Sequence, residues 1–396
     1  MKILFVTRVN SIHAARWIAQ FSGSPWEVAL FPATGHRCHP ELSNIRSFDA
    51  FSNWWERHVR VDLKWPAKVR GMTRLRALLQ KGLPHRRGRA ARLAHIIRQW
   101  KPDIIHSLEM QHAGYLTLEA KRLFEGRFPS WIVQNWGSDI YLFQHLPGHP
   151  ERIRDVLREC DYYDCECERD VQLARAHGFS GCVLPVRPNG GGFDLAKIES
   201  LKSAGMTSNR KVIAVKGYQG WAGRALVALT ALERVASKGL LSGYRVVIYN
   251  ALTEDVNIAA HLFMDRTKVP VDFVPPDSPH IDILRMHGTA RLSIGLSISD
   301  GISISLLEAM LMGSFPIQSN TGAALEWIRD GVTGLVVSPE DPYVVADAIE
   351  RVLKDDQLVN EAASENAVTA NVRLDGDKIR EQVLKMYAGV LVAIRQ

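Results

Sequence analysis

The stretch Ala290–Gln318, ARLSIGLSISDGISISLLEAMLMGSFPIQ, decides how the rest of the chain is read. Leu292 to Ile298 is a short β-rich run, Asp300-Gly301 is a turn dipeptide, and a helix is expected from Ser305 to a stop at Gly313. A second apolar run, Phe315 to Gln318, follows. Strand, polar turn, helix and strand form the unit of a parallel sheet, in which ligands sit beyond the carboxyl ends of the strands. Two acids, Asp300 and Glu308, flank the turn with seven residues between them. Taken locally, Ser305-Leu-Leu-Glu308 is a capping box with Ser305 as N-cap. The joint spacing of acids, glycines and Glu308-Ala309-Met310 points instead to a ligand site.

This pattern resembles the donor-sugar signature of the retaining GT-B glycosyltransferases of family 4, which reads roughly E-G-F-G-x-x-x-x-E-A-M-A-x-G-x-P. Gly301, Glu308, Ala309, Met310, Gly313 and Pro316 fall close to its register. The resemblance implies an α/β protein with two Rossmann-like domains, parallel sheets facing across a cleft, and transfer of a sugar from a UDP- or GDP-sugar. It places Asp300 on the sugar hydroxyls and Glu308 on the ribose, with Gly301, Ile302 and Ser303 lining the donor pocket. Asp300 replaces the signature's first Glu and Ser303 its second Gly, so the sugar is held by a shorter acid.

Upstream, Lys211 to Val215 reads as a strand, and Lys216-Gly217-Tyr-Gln-Gly220-Trp-Ala-Gly223-Arg224 leads into a helix from Ala225 to Ser237. A glycine-rich turn entering a helix converges backbone N–H groups on an anion, and the helix dipole favours negative charge. Lys216, Gly217 and Arg224 are therefore candidates for the diphosphate, although glycines in such a turn also ease packing. Compared with the family's G-R…K-G, Tyr218 stands where Arg is usual. Downstream, Asn320, Thr321 and Gly322 resemble the family's loop facing the same pocket, and Asp330–Pro342 resembles its following turn and strand.

The first half opens on a strand at residues 1–7 and a helix from about Ser11 to Phe21. Its loop has no G-x-G-x-x-G, against a dehydrogenase fingerprint. Asn10, Ser11 and His13 offer hydrogen bonds there. Lys101-Pro102-Asp103-Ile104-Ile105-His106 closes a helix and opens a strand, making His106, Glu109 and His112 further acceptor-side candidates. After the strand Ser130–Gln134, Asn135-Trp136-Gly137-Ser138-Asp139 resembles the family's H-G-x-D. Trp136 takes the histidine's place as a candidate for stacking on an acceptor, and Asp139 is kept as a catalytic candidate. Pro185 to Asp194, with Gly190-Gly191-Gly192, reads as the interdomain hinge. Domains are expected at 1–190 and 195–376, with a terminal helix, about 377–396, crossing back onto the first.

The length allows two domains, and 46% apolar with 23% charged residues is ordinary for a globular protein. MKILFVTRV is too short an apolar run for a signal peptide, and no stretch reaches membrane-spanning length, so a cytoplasmic protein is expected. Five cysteines fit neither a disulfide framework nor a zinc site. No cofactor or metal is expected, and Asp375-Gly-Asp377 reads as a turn and cap. Residues 57–101 hold 14 Lys or Arg against the single Asp62, while the chain as a whole carries +7. With Trp54, Trp55 and Trp65 nearby and Leu75, Leu78, Leu79, Leu93, Ile96 and Ile97 at helical spacings, this block suits an anionic membrane surface on the cytoplasmic side. Nucleic acid is not expected, since no nucleic-acid fold motif accompanies the charge. The resemblance implies a glycan or lipid-linked acceptor in surface polysaccharide synthesis. A nucleotide-sugar epimerase or phosphorylase of the same fold, or an inactive membrane- or polyanion-binding relative, remains open at this point.

Overall fold

The computed structural model describes residues 1–48 and 85–395. They form two parallel sheets. The first runs in the order β3-β2-β1-β4-β5-β6-β7 and the second in the order β10-β9-β8-β11-β12-β13. In the first, β1 is Lys2–Thr7, β2 Glu27–Pro32, β3 Arg46–Ser47, β4 Ile104–Leu108, β5 Ser130–Gln134, β6 Tyr162–Asp164 and β7 Cys182–Val183. In the second, β8 is Val212–Lys216, β9 Arg245–Tyr249, β10 Val271–Val274, β11 Ala290–Gly295, β12 Phe315–Ser319 and β13 Leu335–Val337. Each order reverses once, between β1 and β4 and between β8 and β11. These are the switch points where doubly wound sheets open a crevice at their carboxyl ends.

The strands are apolar on both faces because helices cover both sides. Along β1, Leu4 and Val6 join a core with Leu93, Ile97, Ile105 and Trp131. Ile3 and Phe5 point the other way, to Trp17, Ile104 and Ile132, as the two-residue period of a strand requires. The last helix, Gly376–Arg395, joins this second layer through Ile379, Val383 and Tyr387. The second domain has a core of its own around Ile213, Val215, Leu292, Ile294, Phe315 and Ile317.

Most of the basic block lies outside the described residues, including Trp54, Trp55, Trp65, Leu75, Leu78 and Leu79. Its end is the helix His85–Trp100, and here the membrane reading needs correction. Leu93, Ile96 and Ile97 are buried in the first core, so the apolar face of this helix is already covered by protein. Arg89 donates to the Ala33 carbonyl at 2.9 Å. Among the described residues no helix is long and apolar enough to cross a membrane.

Candidate functional site

The two switch points face each other across a cleft of about 770 Å³. Asp300, Ile302, Glu308 and Lys216 line it from the second domain, and His13, Glu109, His112, Trp136 and Asp139 line it from the first.

Lys216 is the last residue of β8, which carries its side chain from the buried sheet to the cleft. Its ammonium lies 3.3 Å from Ser303 Oγ and makes no ion pair among the described residues. Ser303 is the N-cap of the helix Ile304–Met312, but no side chain caps that end. The expected capping box therefore does not form: Ser305 is already inside the helix, and its hydroxyl lies 2.8 Å from Ser303 Oγ. Glu308 instead meets His280 Nε2 at 2.6 Å, with His287 Nε2 3.6 Å away. Burial alone would raise the Glu308 pKa, yet hydrogen bonds and charge from His280 and His287 outweigh it and hold the group at about 2. Glu308 is thus a carboxylate at the cleft wall, already oriented.

Arg224 departs from expectation. It is the N-cap of the helix Ala225–Ser237, and its guanidinium turns out of the cleft to Glu340 at 3.3 Å and to the Gly223 carbonyl at 2.9 Å. Gly217 and Gly223 serve packing here. A Cβ on Gly217 would meet Ile248 at 2.7 Å, and one on Gly223 would sit 2.1 Å from the Tyr218 carbonyl oxygen. Gly217 does not line the cleft. Asn320 and Thr321 do not line the cleft: Asn320 is exposed with its backbone N–H on the Val337 carbonyl, and the Thr321 hydroxyl donates to the Ser297 carbonyl. Gly301, Ser303 and Gly322 surround a small recess beneath the Asp300 loop.

On the first domain, Asn10 is exposed in a turn outside the cleft, and Ser11 caps the helix Ile12–Ala19. His13, in the first turn, presents its ring to the cleft, 5.5 Å from the ring of Trp136. Solvent reaches it from the cleft, but crowding by protein, then the charge of Arg16, holds its pKa down at about 4. His106 is not at the cleft. Strand parity turns it to the face under the last helix, where it is fully buried and bonded to the Tyr387 hydroxyl. Glu109, just beyond β4, adopts φ 77°, a left-handed conformation costly for a residue with a Cβ. Its carboxylate accepts the N–H groups of His112 at 2.6 Å and Ala113 at 2.7 Å. Asp139 accepts from the Met110 N–H at 2.9 Å and the Trp136 N–H at 3.3 Å. Burial, then the neighbouring charge of Glu109, raises its pKa.

Loops from the two domains touch directly. Arg169 donates to the carbonyls of Asp300 at 2.8 Å and Thr321 at 3.1 Å, and pairs with Asp170. Glu326 reaches across to accept the N–H groups of Glu168 and Arg169, capping the helix Glu168–Ala176. Ser299 donates to Ser138 Oγ at 2.9 Å. These contacts place Asp300 against Glu166, a cleft residue that the sequence reading passed over.

Glu166 follows β6 in Cys165-Glu166-Cys167, and its Oε1 would lie 3.2 Å from a Cβ on Gly301. It has no ion-pair partner among the described residues. Burial, then the charges of Asp300 and Asp170, push its pKa well up, against one opposing hydrogen bond from the Asn189 backbone. A carboxyl with a raised folded pKa favours folding most below its unfolded pKa of about 4.3, and that stability is lost as pH rises through the folded value. Glu166→Gln is therefore expected to melt a few degrees higher than the parent at about pH 8 and level with it near pH 4. Equal melting temperatures across that range, read by calorimetry, would contradict a raised Glu166 pKa.

Residues 228–369 match the family described as Glycosyl transferases group 1, and residues 2–159 match Glycosyl transferase 4-like; together they span most of the chain. A D-inositol 3-phosphate glycosyltransferase of Acidothermus cellulolyticus is 29% identical over 125 residues, which is 32% of this chain and only 27% of that protein. The crystal structure of Anabaena Alr3699/HepE in complex with UDP-glucose superposes with TM-score 0.69 at 17% identity, covering 98% of this chain and 100% of that one. Sucrose-phosphate synthase from Thermosynechococcus elongatus gives 0.68 at 13% identity, covering 99% and 100%. At such identities the solved structures speak for the fold. Taken with the family matches, they make this chain a family 4-like glycosyltransferase of GT-B fold.

Proposed function

We propose that the protein moves a hexose from a UDP-sugar, with retention at the anomeric carbon, to an acceptor hydroxyl held by the first domain. One observation carries the reading: Lys216, Asp300 and Glu308 line a single cleft at the switch point of the second sheet. Glu308, held ionised by His280 and His287, offers a carboxylate to the ribose hydroxyls. Asp300, on the loop after β11, faces the sugar. The glycosidic C–O bond breaks towards the diphosphate, whose growing negative charge Lys216 meets inside a partly closed cleft. The acceptor hydroxyl adds from the same face, and its proton leaves on the departing diphosphate. The acceptor is a glycan or lipid-linked sugar, and no metal is assigned a part. Any membrane contact rests on the charges of residues 57–84.

The test is a thermal-shift panel of UDP, GDP, UDP-glucose and GDP-mannose. UDP and its conjugates are expected to raise the melting temperature, since a ligand at about 100 times its Kd adds about 2.7 kcal/mol. Because Arg224 is turned to Glu340, Arg224→Ala is expected to keep the UDP shift, whereas Glu308→Ala loses it. No shift with any nucleotide sinks the donor assignment, and loss of the UDP shift in Arg224→Ala restores that arginine to the diphosphate.

A further inference from the structure

The first-domain wall holds two cations that the donor reading does not use. Arg8 is the first residue past β1, at the carboxyl end of the central strand. Arg16 lies in the helix Ile12–Ala19, three residues after His13 and so on the same face. Both are half-buried and line the cleft. Neither guanidinium makes an ion pair or a hydrogen bond among the described residues, and Arg8 Nε is buried with no partner. Such groups cost free energy unless something pairs with them.

The acids of the cleft do not satisfy them. Glu109 is occupied by two backbone amides, Asp139 by two more, and Glu308 by His280. Glu166 faces the Asp300 loop. Glu41 and Asp277 line the same cleft, and neither pairs with Arg8 or Arg16. The two arginines and Lys216 all act to lower the His13 pKa, while Asp300 acts in the opposite sense, so all four charges lie within electrostatic reach of its ring in the same cleft. Arg16 also forms the lip of a second groove, which runs past Gly190–Phe193 and is mixed in charge, with Lys197 and Arg380 against Glu41 and Asp194.

We propose that Arg8 and Arg16 form an anion subsite on the first domain that takes a phosphate or carboxylate of the acceptor, so that the glycan or lipid-linked acceptor is an acidic one. This rests on the reading that the second domain holds the UDP-sugar. A guanidinium offers two parallel N–H groups to an oxyanion, and a pair of them fixes its position and not merely its presence. Anchoring the acceptor beside His13 and Trp136 brings its hydroxyl towards Asp300, the contribution expected of a positioning site.

The probe is inorganic phosphate, followed through the His13 ring proton by NMR, first in the free protein and then with UDP saturating. Phosphate is expected to shift that resonance and raise the His13 pKa in both states. Arg8→Gln/Arg16→Gln is expected to weaken phosphate at least about tenfold while keeping its UDP affinity within about threefold. Arg16→Gln alone, at a half-exposed helix position, should show part of the loss and guards against a folding defect. Failure of phosphate to move His13 in the UDP-saturated protein overturns the subsite. So does a drop of about tenfold or more in UDP affinity in the double variant, which would give the arginines to the donor's diphosphate. If UDP does not bind the parent at all, the donor reading fails on its own, and the UDP-free titration still decides whether the arginines hold an anion.

Discussion

Lys216→Ala is expected to cut turnover of the proposed UDP-sugar donor at least about a hundredfold, the size of effect seen when one preorganised donor to a developing oxyanion is removed. The melting temperature should stay close to that of the parent. Lys216 makes one hydrogen bond, at 3.3 Å to Ser303, and no ion pair among the described residues, so little folded structure depends on it. The effect is expected to fall on kcat more than on UDP affinity, because the charge matters most when the glycosidic bond breaks. Lys216→Arg keeps the charge but forks it and lengthens the arm, so only partial recovery is expected. Steady-state UDP release checks the prediction. An alanine variant with more than about a third of parental turnover would remove Lys216 from the leaving-group role. Among the described residues no other Lys or Arg of this domain lines the cleft, and Arg224 is engaged with Glu340.

The sequence carried the architecture because a parallel sheet writes itself plainly. Ala290–Gln318 gives strand, turn, helix and strand in order, and the structure has β11, the Asp300 turn, the helix Ile304–Met312 and β12. The site was harder to read, for three separate reasons. His106 lies on a strand buried on both faces, so no alternation of polar and apolar residues marks which neighbours meet the cleft. Arg224 follows a glycine-rich turn that would suit a phosphate, but the partner that turns it outward, Glu340, lies far along the chain. Glu166 sits between two cysteines and draws the eye to thiol chemistry. Its meaning comes from the Asp300 loop of the other domain, which no local pattern displays. Arg8 and Arg16 share this property, since an arginine without a partner is visible only once the partners can be ruled out in space.

The same interdomain contact yields the second large effect. Gly137 has φ +86°, and a Cβ built on it would lie 2.0 Å from the Gly301 nitrogen and 2.3 Å from its Cα. Backbone cannot yield as a flexible side chain can, so Gly137→Ala is incompatible with the two loops in contact. The domains must separate at this edge, and the contacts from Arg169 to the Asp300 and Thr321 carbonyls are strained or lost with them. A misplacement of about 1 Å between reacting groups can cost about a hundredfold in rate, and a loss of at least that size is expected here. UDP binding should persist, because the proposed donor residues belong to the second domain, and small-angle scattering should show a more open particle. Gly301→Ala makes the useful contrast. Its Cβ would meet Glu166 Oε1 at 3.2 Å and Gly137 Cα at 3.3 Å, distances that a side-chain rotation and a slight shift can relieve. A milder loss is expected there. If Gly137→Ala instead turned over at the parental rate, the closed arrangement of these loops would not be the one in which the sugar is transferred. Lys216 and Asp300 would then have to work from a more open cleft.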